Sequence, residues 1–291
     1  MRKDPLRLAI QVTLYVVLWF VIAWAFGPLL MWLGGYMVGN AGAALFSAIA
    51  ANWLTLRIYE GRQIVDLGMW WNRASLDNLG WGLIGGAGSA CLVLLPPLAL
   101  GAARMSRTPA EPGSAGTILL GMAVLAASAA GEELFVRGYG FQRLLAVLGP
   151  YATVLPVGVV FALLHKFNPN ATWFSTANTA GFGILFGYAY LRSRDLWLPI
   201  GLHFAWNFTY VLFGAILSGF RIKVTGYEMS WIAGDLWSGG AYGPEASLLT
   251  SAVLLVLFAY LGKVPIRRQP SPLTDPPAES AKCEPSPPSP S

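Results

Sequence analysis

The sequence predicts an all-α, polytopic transmembrane helix bundle of about eight spans with both termini cytoplasmic. Three observations predict it. Of the 291 residues, 55% are apolar and 11% charged, whereas a soluble domain carries about 25% charged residues. Apolar blocks long enough to cross a bilayer recur near residues 8–32, 36–57, 76–101, 115–131, 150–166, 176–192, 196–217 and 246–262. Such a block needs about 20 residues, or fewer where neighbouring helices shield it. With the N-terminus inside, only Arg104, Arg107, Lys166, Arg221 and Lys223 of the 19 basic residues face outward. The other fourteen are cytoplasmic, which is the positive-inside pattern.

The elements follow in chain order. Met1-Arg2-Lys3-Asp4 and the apolar run from Leu8 resemble the start of a signal peptide, yet the run reaches Trp32 without a small-residue cleavage site. It reads as an uncleaved first span. Residues 1–64 form an N-terminal transmembrane hairpin and 65–217 a core that carries the chemistry. Within that core, 132–148 continues the fourth block as an amphipathic stretch with Arg137 and Arg143, and Gly149-Pro150 ends it. Residues 218–263 read as a polar loop and a last transmembrane helix. The proline-rich 264–291 cannot build a core and reads as a disordered tail.

Several function classes recede on the same composition. The net charge of +5 is scattered between apolar blocks, with no basic stripe interleaved with aromatics, so no nucleic-acid partner is expected. Cys91 and Cys283 offer no CxxC and no disulfide framework. No internal repeat is visible, which counts against a transporter. Gly181, Gly183 and Gly187 follow no strand and read as close helix packing, not as a nucleotide loop. Tryptophans near the span ends, such as Trp70, Trp71 and Trp197, fit an interfacial belt.

The chemistry concentrates in three places. Twelve of the fourteen acidic residues lie in expected loops, at span ends or in the tail. Glu132 and Glu133 instead follow the apolar run 117–130 without a break, where an ionisable group costs about 3 kcal/mol on insertion scales. Glu133 and Arg137, four apart, share a helical face and can pair. Glu132 projects about 100° away and lacks that partner, which frees it for general-base work. The blander reading is that both acids hold Arg137 or mark the helix end. His165 and His203 are the chain's two histidines, each at one end of an apolar span. A lone histidine there is more often a packing residue, but Phe161 precedes His165 by four, and Asn207 follows His203 by four on one face. Glutamate with histidine can hold and deprotonate a water, and an imidazole with a carboxamide can stabilise an oxyanion. Glu132, His165 and His203 could also ligate a divalent metal such as zinc with one position open, although no HExxH helix is present.

The stretches GEELFVRG (131–138), FALLH (161–165) and LHFAWNF (202–208) resemble, in that order, the three motifs of the CPBP family. That family comprises the CAAX-processing proteases and bacteriocin-processing (Abi) membrane proteins, including the Ras-converting prenyl endoprotease. Asp66-Leu67-Gly68-Met69 and Arg194-Asp195-Leu196-Trp197 add to the likeness, which covers about residues 65–217. The resemblance implies an intramembrane endopeptidase acting on a membrane-associated protein or peptide, in a multi-pass protein of the bacterial plasma membrane. It implies that Glu132 is the general base and that His165 orients the water. His203 and Asn207 would hold the oxyanion, and the Glu133–Arg137 pair would fix the helix. It leaves open whether the enzyme depends on a metal or on the glutamate alone. The alternative is a non-catalytic membrane adaptor or bacteriocin self-immunity protein built on the same scaffold.

Overall fold

The computed structural model describes residues 4–108 and 113–275. Helix α1 spans Pro5–Tyr59, opened by Asp4, whose carboxylate accepts from the backbone N–H groups of Leu6 and Arg7. At Gly35 (φ 73°, ψ 174°) the backbone leaves the helical region and the chain folds back. The two arms lie antiparallel: Phe26 meets Phe46 at 5.3 Å between ring centroids, Asn52 Nδ2 donates to Tyr15 Oη, and Gln11 reaches Glu60. The apolar blocks 8–32 and 36–57 fall on these arms.

Helix α2 (Arg73–Ala99) is followed by strand β1 (Ala103–Arg107), α3 (Ala115–Arg137), α4 (Tyr139–Leu148), α5 (Tyr151–His165), α6 (Trp173–Ser193) and α7 (Trp197–Leu212). Strand β2 (Tyr227–Trp231), the short α8 (Asp235–Ser238) and α9 (Leu248–Lys263) complete the described elements. The chain is mostly helical, and a helix lies within each of the eight expected apolar blocks. Three helical stretches, 5–59, 73–99 and 115–148, are long and apolar enough to cross a membrane by themselves. Side chains such as Trp24, Leu155, Val160 and Leu255 stand exposed on the helix surfaces, as contact with lipid requires. The protein is an integral membrane protein.

The all-α reading needs one correction. β1 and β2 pair antiparallel from Ala103 opposite Trp231 to Arg107 opposite Tyr227. The ribbon is fastened by Met229 N–H donating to the Gly214 carbonyl, at the end of α7. More than a hundred residues separate the two strands, so no local hairpin signal marks them.

A second correction concerns the proline-rich tail. Residues 264–275 lie along the ends of α2, α6 and α7. Arg267 exchanges two backbone hydrogen bonds with the Asn78 amide. Gln269 N–H donates to the Ser193 carbonyl, and its side chain bridges Asn72, Ser75 and Asp195. The Asn78 amide and the Ser193 carbonyl thus stand in for part of the ladder that prolines cannot join. Residues 276–291, with Cys283, lie outside the described residues, as do Arg2 and Lys3.

Helices α5 and α6 approach closely where Gly183 faces Gly158; a Cβ on Gly183 would lie 2.7 Å from the Gly158 carbonyl oxygen. Close packing through small residues is therefore what the glycine spacing provides.

Candidate active site

Helix α3 carries Glu132 and Glu133 near its C-terminal end, and α4 continues it beyond Gly138. The chain turns at Gly149-Pro150, and α5 runs back along α4, so that its last residue, His165, comes level with Glu132. The 17 residues from 132 to 148 and the 15 of α5 are nearly matched in length, at about 1.5 Å per residue. Helix α7 adds His203 six residues, about 9 Å, beyond its first residue Trp197.

Both imidazoles meet one carboxylate oxygen. Glu132 Oε2 lies 3.6 Å from His165 Nε2 and 3.9 Å from His203 Nε2. Its other oxygen, Oε1, accepts from Ser128 Oγ at 3.1 Å, one turn earlier on α3. The distal nitrogen of each imidazole is set by the bond its proximal nitrogen makes. His165 Nδ1 sits 2.8 Å from the Phe161 carbonyl, and His203 Nδ1 sits 3.1 Å from Glu133 Oε1. Both partners only accept, so both Nδ1 atoms carry the proton. Glu132 and His165 remain about a third and a fifth exposed, while His203 is nearly buried. The Glu132 Oε2 atom that both imidazoles face is itself shielded and makes no hydrogen bond among the described residues.

Behind it lies a dry anchor. Glu133 and Arg137 are completely buried and paired at 3.0 Å, and the same carboxylate oxygen receives His203. Arg137 Nη2 donates to the Gly183 carbonyl at 2.8 Å, and its guanidinium lies over the rings of Phe161 and Phe186 at 4.8 and 5.4 Å. Phe186 also stacks on His203 with centroids 5.0 Å apart and planes at 17°. Arg137 thereby ties α3 to α6, and Glu133 ties α3 to α7.

The expected residues therefore come together, with one qualification. Asn207 is half-buried one turn beyond His203 on α7, and its side chain makes no hydrogen bond among the described residues. Four contributors escaped the sequence reading. Ser128, at Glu132 minus four, carried a usable spacing. Phe186 and the Gly183 carbonyl had none, being defined only by helix packing. Glu245, a loop acid by sequence, is buried: it accepts from Trp206 Nε1 at 2.9 Å and from Ser218 N and Oγ at 2.6 and 2.7 Å. It pins the segment after α7 back onto the residue beside Asn207. As for a metal, Glu132, His165 and His203 do converge, but among the described residues no group of three or more His, Cys, Asp or Glu side chains is disposed to hold an ion.

A helical integral membrane protein with an acid between two imidazoles is the class that fold and site define. Residues 114–209, a third of the chain, match the family model described as Type II CAAX prenyl endopeptidase Rce1-like. The match bears out the resemblance read from the three motifs and contains Glu132, Glu133, Arg137, His165, His203 and Asn207. It supports activity of the CAAX-protease type at the level of the family. No curated protein and no solved structure matches the chain.

Proposed function

We propose that the chain is an intramembrane endopeptidase, crossing the bacterial plasma membrane about eight times with both termini cytoplasmic. It hydrolyses a peptide bond of a protein or peptide that carries a membrane-associated segment. The observation that carries this reading is the meeting of Glu132 Oε2 with two Nε2 atoms at 3.6 and 3.9 Å. With both Nδ1 atoms protonated, neutral imidazoles would turn lone pairs toward a carboxylate that also only accepts. Three facing acceptors need hydrogens between them, and the separations exceed a direct hydrogen bond. A proton on His203 Nε2, with a water that donates to the acid and to His165, supplies them.

In this reading Glu132 removes a proton from that water as its oxygen attacks the scissile carbonyl carbon, and His165 orients it. His203 acts as an imidazolium, its Nδ1–H held by Glu133, and donates Nε2–H to the developing oxyanion beside the Asn207 amide. The charges then close: Glu132 and Glu133 against Arg137 and His203. Collapse of the tetrahedral species breaks the C–N bond, and Glu132 returns its proton to the leaving amine. Donors preorganised in a site of low dielectric strengthen this stabilisation.

A non-catalytic adaptor or self-immunity protein draws on the complete burial of the Glu133–Arg137 pair, which is a structural element in either case. New protein N-termini in membranes of cells carrying the intact chain, compared with Glu132→Gln and His203→Ala, separate the two. Protease action requires termini that vanish in both variants while each protein remains inserted. An identical set in all three samples would refute it.

A further inference from the structure

A groove of about 590 Å³ runs along one side of α2, beneath residues 265–267. Its α2 wall consists of Arg73, Leu76, Asp77, Gly80, Trp81 and Ile84, steps of three and four that form one continuous stripe. The stripe that packs on α7 is a different one, through Gly82, Gly85 and Gly86 against residues 198–205. The groove is therefore separate from the Glu132 cluster.

Its polarity changes along the helix. Asp77 occupies the first turns and holds two guanidiniums by their Nε atoms, Arg73 at 3.1 Å through Oδ1 and Arg267 at 2.6 Å through Oδ2. The terminal nitrogens of both arginines make no hydrogen bond among the described residues, and the side chains are 85% and 61% exposed. One acid between two arginines leaves a net positive charge and two planar forks of donors, the geometry that fits a phosphate. From Arg73 to Ile84 the wall extends about 16 Å and turns apolar, with Leu76 and Ile84 half exposed. Because α2 is long and apolar enough to span, its first turn lies where a membrane surface would be. A free anion would use only the arginine end.

We propose that this groove binds one anionic phospholipid, its phosphate between Arg73 and Arg267 and an acyl chain along Leu76, Trp81 and Ile84. The bilayer would then supply a specific ligand that staples the C-terminal segment to α2.

Native mass spectrometry and thermal melting of the full chain in detergent test this, with phosphatidylglycerol, phosphatidylcholine and inorganic phosphate as separate probes. One phosphatidylglycerol should be retained per chain and raise the melting temperature, while the other two probes leave it unchanged. A Cβ at Gly80 meets nothing within 4 Å, so a side chain can leave the backbone there, and Gly80→Phe is the variant chosen to occupy the groove. It should reduce retention at least tenfold, as should Arg73→Gln combined with Arg267→Gln. Equal retention of phosphatidylcholine, retention unchanged by Gly80→Phe, or the same melting shift with inorganic phosphate would overturn the proposal.

Discussion

His203 Nδ1 and Arg137 Nη1 share a single oxygen, Oε1 of Glu133, at 3.1 and 3.0 Å. The second acid of the pair thus serves two helices, and its loss unties both. Removing one partner of a buried ion pair leaves a charge unpaired and costs about 3–5 kcal/mol. Glu133→Gln and Arg137→Met should each lower the melting temperature in detergent markedly. Glu132→Gln should leave it near the wild-type value, because that carboxylate is partly exposed, its direct hydrogen bond comes from Ser128, and the two imidazoles stand farther off at 3.6 and 3.9 Å. Equal destabilisation by Glu132→Gln and Glu133→Gln would contradict this division of labour.

The oxyanion assignment predicts a kinetic signature. Asn207 has no hydrogen-bond partner among the described residues, so Asn207→Ala should leave folding and KM close to wild type. Loss of one such donor lowers kcat by about 10²–10³-fold. A KM effect with unchanged kcat would move Asn207 from transition-state stabilisation to ground-state binding.

Gly68 and Asp195 explain the two minor likenesses outside the three motifs. Gly68 stands at φ 88°, and a Cβ there would lie 2.6 Å from Asp195 Cα. Its carbonyl accepts from Leu196 N–H, and Trp197 Nε1 donates to the Trp70 carbonyl. The two segments are one contact that seats the start of α7, the helix bearing His203. Gly68→Ala should therefore destabilise by about 1–3 kcal/mol, the usual cost of a side chain in a forbidden backbone region. Circular-dichroism melts in detergent read this out; a melting curve matching wild type would disprove the steric account.

Asp195 adds a pH dependence. Burial pushes its carboxyl above the ordinary range, against donors from Asn78, Gln269 and Leu198 that pull it down. The folded chain keeps this proton to higher pH than the unfolded chain, so ionisation costs stability as pH rises from about 4 through the folded value. The advantage of wild type over Asp195→Ala in melting temperature should grow as pH falls from 7 to 4. An advantage that shrinks over that range would reverse the sign.

The helices and the three motif segments were legible because each has a local signal. Apolar runs of spanning length mark the helices, and an acid pair that interrupts such a run is costly enough to stand out. What remained hidden depends on contacts distant in sequence. The β1–β2 ribbon joins segments that show no turn chemistry between them. Residues 264–275 look structureless by proline content, yet the Asn78 amide and the Ser193 carbonyl satisfy backbone groups of Arg267 and Gln269. Glu245 resembles any loop acid until Trp206 and Ser218 surround it. In the site, the sequence pointed to an ion pair between Glu133 and Arg137, but not to His203 joining it. That third partner is decided by how α7 rotates against α3.

The most direct test of the central claim is single-turnover cleavage in proteoliposomes of a peptide taken from the new termini of wild-type membranes, comparing wild type with Glu132→Gln. General-base catalysis contributes about 10²–10⁴-fold, so the variant should lose that factor in rate with its melting temperature and peptide binding intact. A Glu132→Gln protein that cleaves within a few-fold of wild type would show that the carboxylate between the two imidazoles does not activate the water.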